Sequence, residues 1–205
     1  MSIRYDADGT QGESQAGPEG QVLANRLGIV DVDEINEAEL ILLEHLYKAV
    51  LIEDLPDRAL VAADLFNWHR RWLGNLYAWA GQLRTVNVSK GGFLFAAAGQ
   101  IEKLLASFEC DCLARFTPCH GMTDETLVEA IAVTHVEVIL IHPFREGNGR
   151  LSRLLADVMA AQAGRGPLDY SAWDADKEAY FGAIRAGVST DYEPMKRLVA
   201  TALVR

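Results

Sequence analysis

From Asp33 onward apolar side chains recur at helical spacing: Ile35, Leu40, Leu43, Leu46, Tyr47 and Val50 follow one another with polar positions between them. Ala59 to Ala80 repeats the behaviour through Leu65, Trp68, Trp72, Leu76 and Trp79, so a second amphipathic helix is expected there. Aromatic residues at that interval mark a packed face, and the Trp stripe reads as core, not as a ligand-stacking surface. The period then drops to two. Val86 and Val88 alternate with Thr85, Asn87 and Ser89 ahead of Gly91-Gly92 and Phe93-Leu94-Phe95, which predicts a short β-hairpin within Leu83 to Phe95. Further helices are expected at Gln100 to Phe116, Asp124 to Ile141, Asn148 to Ala163, Asp174 to Ala186 and Glu193 to Val204, with Thr123 a start signal and Gly164 a stop. Residues 1–33 hold Gly9, Gly12, Gly17, Pro18, Gly20 and Gly28 and little periodicity, so they read as an irregular N-terminal extension with room for one short helix. The expected fold class is all-α with one small hairpin, a single domain over 34–205.

Composition narrows this picture. With 205 residues, 50% of them hydrophobic, the chain can close one complete core. Its most apolar stretch, Leu127 to Ile141, is interrupted by Glu129, His135 and Glu137 and is too short to span a bilayer, so a buried core helix is expected and no membrane association. Met1 to Gly20 is polar and carries Asp6, Asp8, Glu13 and Glu19 where a leader would be apolar, which points to a cytoplasmic protein. A formal net charge of -10 repels phosphate backbones, and direct nucleic-acid binding is not expected. Cys110, Cys112, Cys119 and His120 lack the paired knuckles of a structural zinc site and read as reduced structural thiols.

The chemistry concentrates between His142 and Arg153. A helix ends at His142-Pro143, and the turn Phe144-Arg145-Glu146-Gly147-Asn148-Gly149 separates it from the next. Such a loop aims backbone N–H groups and the positive end of a helix dipole at one point, an arrangement that favours an anion. Gly147 and Gly149 permit the backbone angles and close approach that an anion nest needs. Arg150 and Arg153, three apart on the first turn, share a face and are expected to reach the same polyphosphate. Glu146 is placed to hold a hard divalent cation, and His142 to accept a proton near neutral pH. An ordinary helix–helix turn needs none of these side chains. His135, two turns before His142, either orients that base from behind or is a buried structural histidine. His45 and His69 are assigned no chemistry.

The run His142-Pro143-Phe144-Arg145-Glu146-Gly147-Asn148-Gly149-Arg150-Leu151-Ser152-Arg153 resembles the full signature of the Fic (Fido) family, HPFx[D/E]GNGRxxR, without departure. Tyr77-Ala78-Trp79-Ala80-Gly81, Arg84 and Lys90-Gly91-Gly92-Phe93 are similar to the family's Y-x-W-A-G helix end and flap hairpin, and the likeness runs from Glu34 to Val204. The resemblance implies a Fic-type helical catalytic domain and a protein adenylyltransferase, which moves AMP from ATP to a Tyr, Ser or Thr hydroxyl of a target protein with Mg²⁺ present. By the same resemblance His142 is the base, Glu146 the metal ligand, Gly147, Asn148 and Gly149 the anion hole, and Arg150 and Arg153 the grip on the outer phosphates. Phe144 anchors the loop, and Tyr180 lines the adenine pocket or packs in the core. The flap residues Val86, Asn87, Val88, Lys90, Gly91, Gly92 and Phe93 would dock an extended target segment by main-chain pairing, which requires an open strand edge near the base. Two alternatives stand beside this: a Fic-fold enzyme transferring another nucleotide monophosphate or phosphate, and a non-catalytic partner-binding module.

Most members of the family are restrained by a helix bearing [S/T]xxxE[G/N]. Here Glu19-Gly20 has Gln15 in place of Ser or Thr, Glu146-Gly147 is the loop itself, and Ser189 to Glu193 runs into Pro194. The resemblance then implies restraint in trans, by a separate antitoxin-like protein.

Overall fold

The computed structural model describes residues 6–7 and 22–203. Helix α1, Val32–Lys48, starts where the Asp31 carboxylate accepts the amides of Asp33 and Glu34, and it continues through a π-turn, Ala49–Glu53. Helix α2, Ala62–Leu73, is shorter than its apolar spacing predicts. Leu76 and Tyr77 lie in the irregular stretch beyond the helix yet remain buried, so the spacing correctly reports burial while the backbone has already left the helix. Helix α3, Ile101–Phe108, passes through the π-turn Glu109–Leu113 into α4, Ala114–Phe116. Helix α5, Asp124–Ile141, begins as expected at Thr123, whose hydroxyl accepts the Thr126 amide. Helix α6 covers Asn148–Gln162 and stops before Gly164. The helix expected over 174–186 is two, α7 (Ser171–Ala175) and α8 (Lys177–Ala186), because Asp176 breaks the run and caps the second piece. Helix α9 is Glu193–Ala202.

Helix α5 is the axis of the core. Leu127, Ala130, Ile131, Ala132 and Val136 are completely buried, and the helix packs against α3, α6, α8 and α9. A helix packed on several sides keeps little polar face, which is why apolar residues dominate its sequence beyond the exposed first turn. Of the three thiols, Cys110 is exposed while Cys112 and Cys119 are buried, and burial pushes the latter two up to about 12, which keeps them unreactive.

The hairpin is β2 (Val88–Lys90) and β3 (Phe93–Leu94), joined by Gly91-Gly92, both at positive φ. A third strand, β1, comes from the stretch expected to be irregular: Asp6–Ala7 runs antiparallel to β2, with Asp6 opposite Ser89 and Ala7 opposite Val88. β2 is therefore the middle strand of three. Two paired residues carry too little pattern to be predicted locally.

Arg84 fastens this sheet to the helices. Only 2% exposed, its guanidinium donates to the carbonyls of His142 (2.7 Å), Val86 (2.7 Å), Ile141 (3.3 Å) and Ala96, and its amide donates to the Pro143 carbonyl (2.9 Å). Burial pulls its pKa down to about 10, leaving it charged at neutral pH. Substituting Arg84→Met should strand these carbonyls and cost about 3 kcal/mol of unfolding free energy. Denaturant titration would read this as a lower midpoint, and an unchanged midpoint would remove Arg84 from this role.

Candidate functional site

His142 caps α5 in the left-handed region, with φ 51. That turn swings the imidazole back, and its Nδ1 lies 3.1 Å from the Ile139 carbonyl. A carbonyl can only accept, so Nδ1 carries the proton and Nε2 the basic lone pair. The Phe95 ring stacks on the imidazole at 3.8 Å between centroids, which places the flap directly over it. Burial drives its pKa down to about 3; the Ile139 bond opposes this, and the charges of Arg84 and Lys90 add to it. The sequence placed this base near its ordinary value of 6.5. The enclosure of the side chain, invisible in local sequence, makes it a neutral base across the physiological range instead.

The loop behind it is clipped shut by one side chain. Asn148 accepts the Phe144 amide at Oδ1 (2.9 Å) and donates from Nδ2 to the Phe144 carbonyl (2.8 Å). Phe144 is fully buried and stacks on His69 at 4.0 Å. His69, which sequence reading left without a task, accepts the Gly81 amide at Nδ1 (2.8 Å), so its Nε2–H donates to the Glu146 carbonyl (3.1 Å). It thus supports the loop at the residue whose carboxylate faces the site. No motif spacing links His69 to Glu146, and only the packing of α2 under the loop brings them together.

Gly147 opens α6 at φ 82, and a Cβ there would sit 2.7 Å from the Trp72 ring. Gly149 has open space where its Cβ would point. The first is needed by the folded chain itself, whereas the second leaves room beside the helix terminus. The amides of Asn148, Gly149 and Arg150 lie in the first turn of α6, where no intrahelical acceptor exists. Glu146 Oε1 accepts the Gly147 amide (2.9 Å), while Oε2 is buried without a hydrogen-bond partner among the described residues. A lone buried carboxylate oxygen beside an anion nest fits Mg²⁺, which takes one or two protein carboxylates and fills its remaining positions with phosphate oxygens and water.

The two arginines diverge. Arg150 donates to Glu39 (2.8 Å), lies over the Trp72 ring at 4.6 Å and remains 37% exposed. Glu39, missed by sequence reading, is buried in α1 and also accepts the Tyr77 hydroxyl (2.6 Å). Arg153 turns toward α7, with Asp174 at 2.7 and 3.1 Å and the Tyr170 ring at 4.7 Å. Sequence spacing places both on one face of α6, but their guanidiniums are drawn to carboxylates on different helices, Glu39 of α1 and Asp174 of α7. His135 does not serve His142: its Nδ1 engages the Ser152 carbonyl (3.3 Å) and its Nε2 the Tyr180 hydroxyl (2.8 Å). Tyr180 is buried and stacked on Trp173.

In the flap, Val88 is buried, Asn87 accepts the Ala98 amide (2.9 Å), and Phe93 meets Phe95 edge-on at 5.2 Å. Lys90 lies over the Phe181 ring at 5.9 Å; burial lowers its pKa, and the Glu146 carboxylate opposes this by raising it. The outer edge of β2, expected to be open, carries β1.

Comparison with known proteins agrees with this geometry. A model described as the Fic/DOC family matches residues 59–160. The chain is 31% identical over 147 residues to the probable protein adenylyltransferase y4lH of Sinorhizobium fredii, covering 72% of this chain and 74% of that one. It is 29% identical over 143 residues to protein adenylyltransferase fic-1 of Caenorhabditis briggsae, covering 67% of this chain but only 26% of that longer protein. Among solved structures, BepC of Bartonella tribocorum with bound AMPPNP has the same fold, with a TM-score of 0.76 and 23% identity over 100% of this chain and 99% of that one.

Two outcomes follow from the site. Gly147→Ala should lower the unfolding midpoint through its clash with Trp72, whereas Gly149→Ala should fold normally and weaken nucleotide binding by about tenfold; calorimetric titration beside thermal melts checks the pair. The second concerns pH. His69, His135 and His142 are held by burial at about 4, 4 and 3, against 6.5 when unfolded. Below pH 6.5 the unfolded chain binds the extra protons, so their contribution is complete above pH 6.5 and is lost as pH falls through about 4 and then about 3. Asp157, pushed up to about 6, acts in the opposite sense as pH rises from 3.8. The slope of unfolding free energy between pH 6 and 5 should therefore shrink by about 1.4 kcal/mol per pH unit at most in His69→Gln. An unaltered slope would mean that His69 is not held neutral.

Proposed function

The chain belongs to the Fic/DOC family, and from that membership we propose that it is a protein adenylyltransferase, moving AMP from ATP to a Tyr, Ser or Thr hydroxyl of another protein and releasing pyrophosphate. The observation that carries this reading is the junction of α5 and α6. A neutral imidazole with its lone pair on Nε2 stands at one end of a clipped loop, and the amide-rich start of a helix stands at the other.

In the reaction His142 Nε2 takes the proton of the incoming hydroxyl as its oxygen attacks the α-phosphorus. The amides at Asn148 and Gly149 hold the phosphate oxygens on which charge develops. Glu146 would hold Mg²⁺, which would supply neutralisation of phosphate charge as pyrophosphate leaves. Arg150 and Arg153 grip the outer phosphates. Arg150 does so from its seat on Glu39, and Arg153 by exchanging Asp174 for a phosphate oxygen. Tyr180 borders the adenine. The flap, Val86 to Phe95, receives an extended target segment by strand pairing, on the β2 edge only where that segment displaces β1.

Restraint is assigned to a separate antitoxin-like protein that presents a carboxylate to Arg153, whose partner Asp174 is itself half exposed. Glu193 of the Ser189 to Glu193 run is bonded to Lys196 within α9, and the Gln15 to Gly20 run lies outside the described residues. No helix among the described residues is long and apolar enough to cross a membrane, and the setting proposed for the reaction is the cytoplasm.

Incubation with labelled ATP and Mg²⁺ in a lysate tests the reading. Labelled protein should appear with the wild-type chain and fall by at least about a hundredfold with His142→Ala, while ATP affinity stays within about threefold. Glu146→Ala should instead remove the Mg²⁺-dependent part of that affinity. Equal loss of ATP affinity in both variants would take His142 out of the role of base.

A further inference from the structure

We infer that the cavity between the second half of α1 and the C-terminal half of α6 binds a small organic cation, a protonated amine carried on an apolar body. The inference does not depend on the AMP transfer proposed above. The cavity has a volume of about 670 Å³, a size that suits a small molecule. Leu43, Leu51, Ile52 and Ala161 are among its apolar walls. Glu44, Tyr47 and Lys48 reach it together, because intervals of three and four residues put them on one side of α1. Asp157 of α6 and Arg165 complete its polar groups.

The charges around this cavity are unevenly answered. Both cations are paired, Lys48 with Glu53 (3.6 Å) and Arg165 with Asp124. Among the described residues, neither Glu44 nor Asp157 has a cation at ion-pair distance. Arg153, whose charge bears on Asp157, is held by Asp174. Asp157 is only 1% exposed, and its two oxygens are not equally satisfied. Oδ1 accepts the Leu168 amide (2.9 Å) and the Tyr170 hydroxyl (3.0 Å), whereas Oδ2 accepts the Tyr47 hydroxyl at a longer 3.2 Å. A carboxylate oxygen has room for two donors, so Oδ2 keeps an acceptor position, and the Tyr47 oxygen keeps its own lone pairs after donating.

These groups rank the ligands that the cavity accepts. Burial pushes Asp157 up to about 6, although its three neutral donors hold it down, so they do not replace the solvation it has lost. An ammonium brings both a donor and the missing positive charge. An alcohol brings one more neutral donor, and a carboxylate adds a like charge beside Asp157 and Glu44. The apolar walls select the rest of the molecule, since a body that covers them leaves water at little polar cost.

Cyclohexylmethylamine, cyclohexylmethanol and cyclohexanecarboxylate share one ring and differ in charge, and each is titrated into the isotope-labelled full chain near neutral pH while its amide NMR shifts are followed. The amine should bind saturably, about tenfold more tightly than the alcohol, with the carboxylate weakest. Asp157→Asn should bring the amine down to the level of the alcohol while the alcohol's affinity holds, a pattern that loss of folding does not imitate. Ala161→Leu narrows the cavity with both carboxylates in place and should weaken amine and alcohol alike. Glu44→Gln, at an exposed position, should weaken the amine by about twofold and leave the alcohol unchanged. Equal affinity for amine and alcohol, tightest binding by the carboxylate, or no saturable binding of the amine to the wild-type chain each overturns the inference. So does an amine preference that Asp157→Asn retains. Should thermal melts show that Asp157→Asn does not fold, the other two variants decide, and amine binding that both leave unchanged overturns it.

Discussion

One buried guanidinium sets the relation between the flap and the loop. Arg84 has backbone oxygens as its hydrogen-bond partners, drawn from the end of α5 and His142, from Val86 ahead of β2 and from Ala96 after β3. A buried cation bonded to carbonyls loses solvation that no single carbonyl restores, so several must converge on it at once. The carbonyl of His142 is among them. The proposed base and the sheet proposed to register the acceptor are thereby referred to one point. Transfer chemistry depends on that distance, because a small error in the approach of an attacking oxygen forfeits much of the advantage of holding it in place.

The proposed anion site is assembled from charges that already have partners. Arg150 neutralises Glu39, which would otherwise be a carboxylate buried in α1, and Tyr77 shares the same carboxyl. Removing Glu39 would free the arginine and also loosen α1 from the turn after α2. Arg153 differs, because Asp174 sits toward solvent and its pairing is exposed. A phosphate must share Arg150 with a carboxylate that cannot leave, but it can displace one from Arg153 at small cost. The second arginine is thus the adjustable contact, and the natural place for a competing carboxylate to act.

The contiguous part of the site was legible because its chemistry is local: loop 142–153 holds its histidine, carboxylate, glycines and arginines within three turns of chain. The limits of α5 were legible as well, since Thr123 caps its start and the helix ends at His142-Pro143. Groups that act across the fold were not. His69 and Glu146 are 77 residues apart, and Glu39 and Arg150 are 111 apart, with no spacing rule to join them. The Ala59 to Ala80 pattern overran α2 because Leu76 and Tyr77 are buried from the irregular stretch beyond it, and hydrophobic period reports burial before it reports backbone. β1 was hidden for the opposite reason, since a strand of two residues has no period at all.

The ionisation of His142 links these observations to catalysis. A base at the ordinary histidine value would be partly protonated near neutrality, and its efficiency would follow pH. At about 3 it is always available, but its weaker basicity lowers the driving force for taking a proton from a hydroxyl. The shift comes first from burial, with Arg84 and Lys90 adding to it. Nucleotide phosphates entering beside the imidazole bring negative charge close to it, which favours the imidazolium and raises the pKa again. The base would therefore strengthen when ATP is in place and remain weak when it is absent. On the proposed transfer reading, the substrate would supply the charge that makes the histidine competent, and deprotonation of the acceptor would be coupled to occupancy of the proposed anion site.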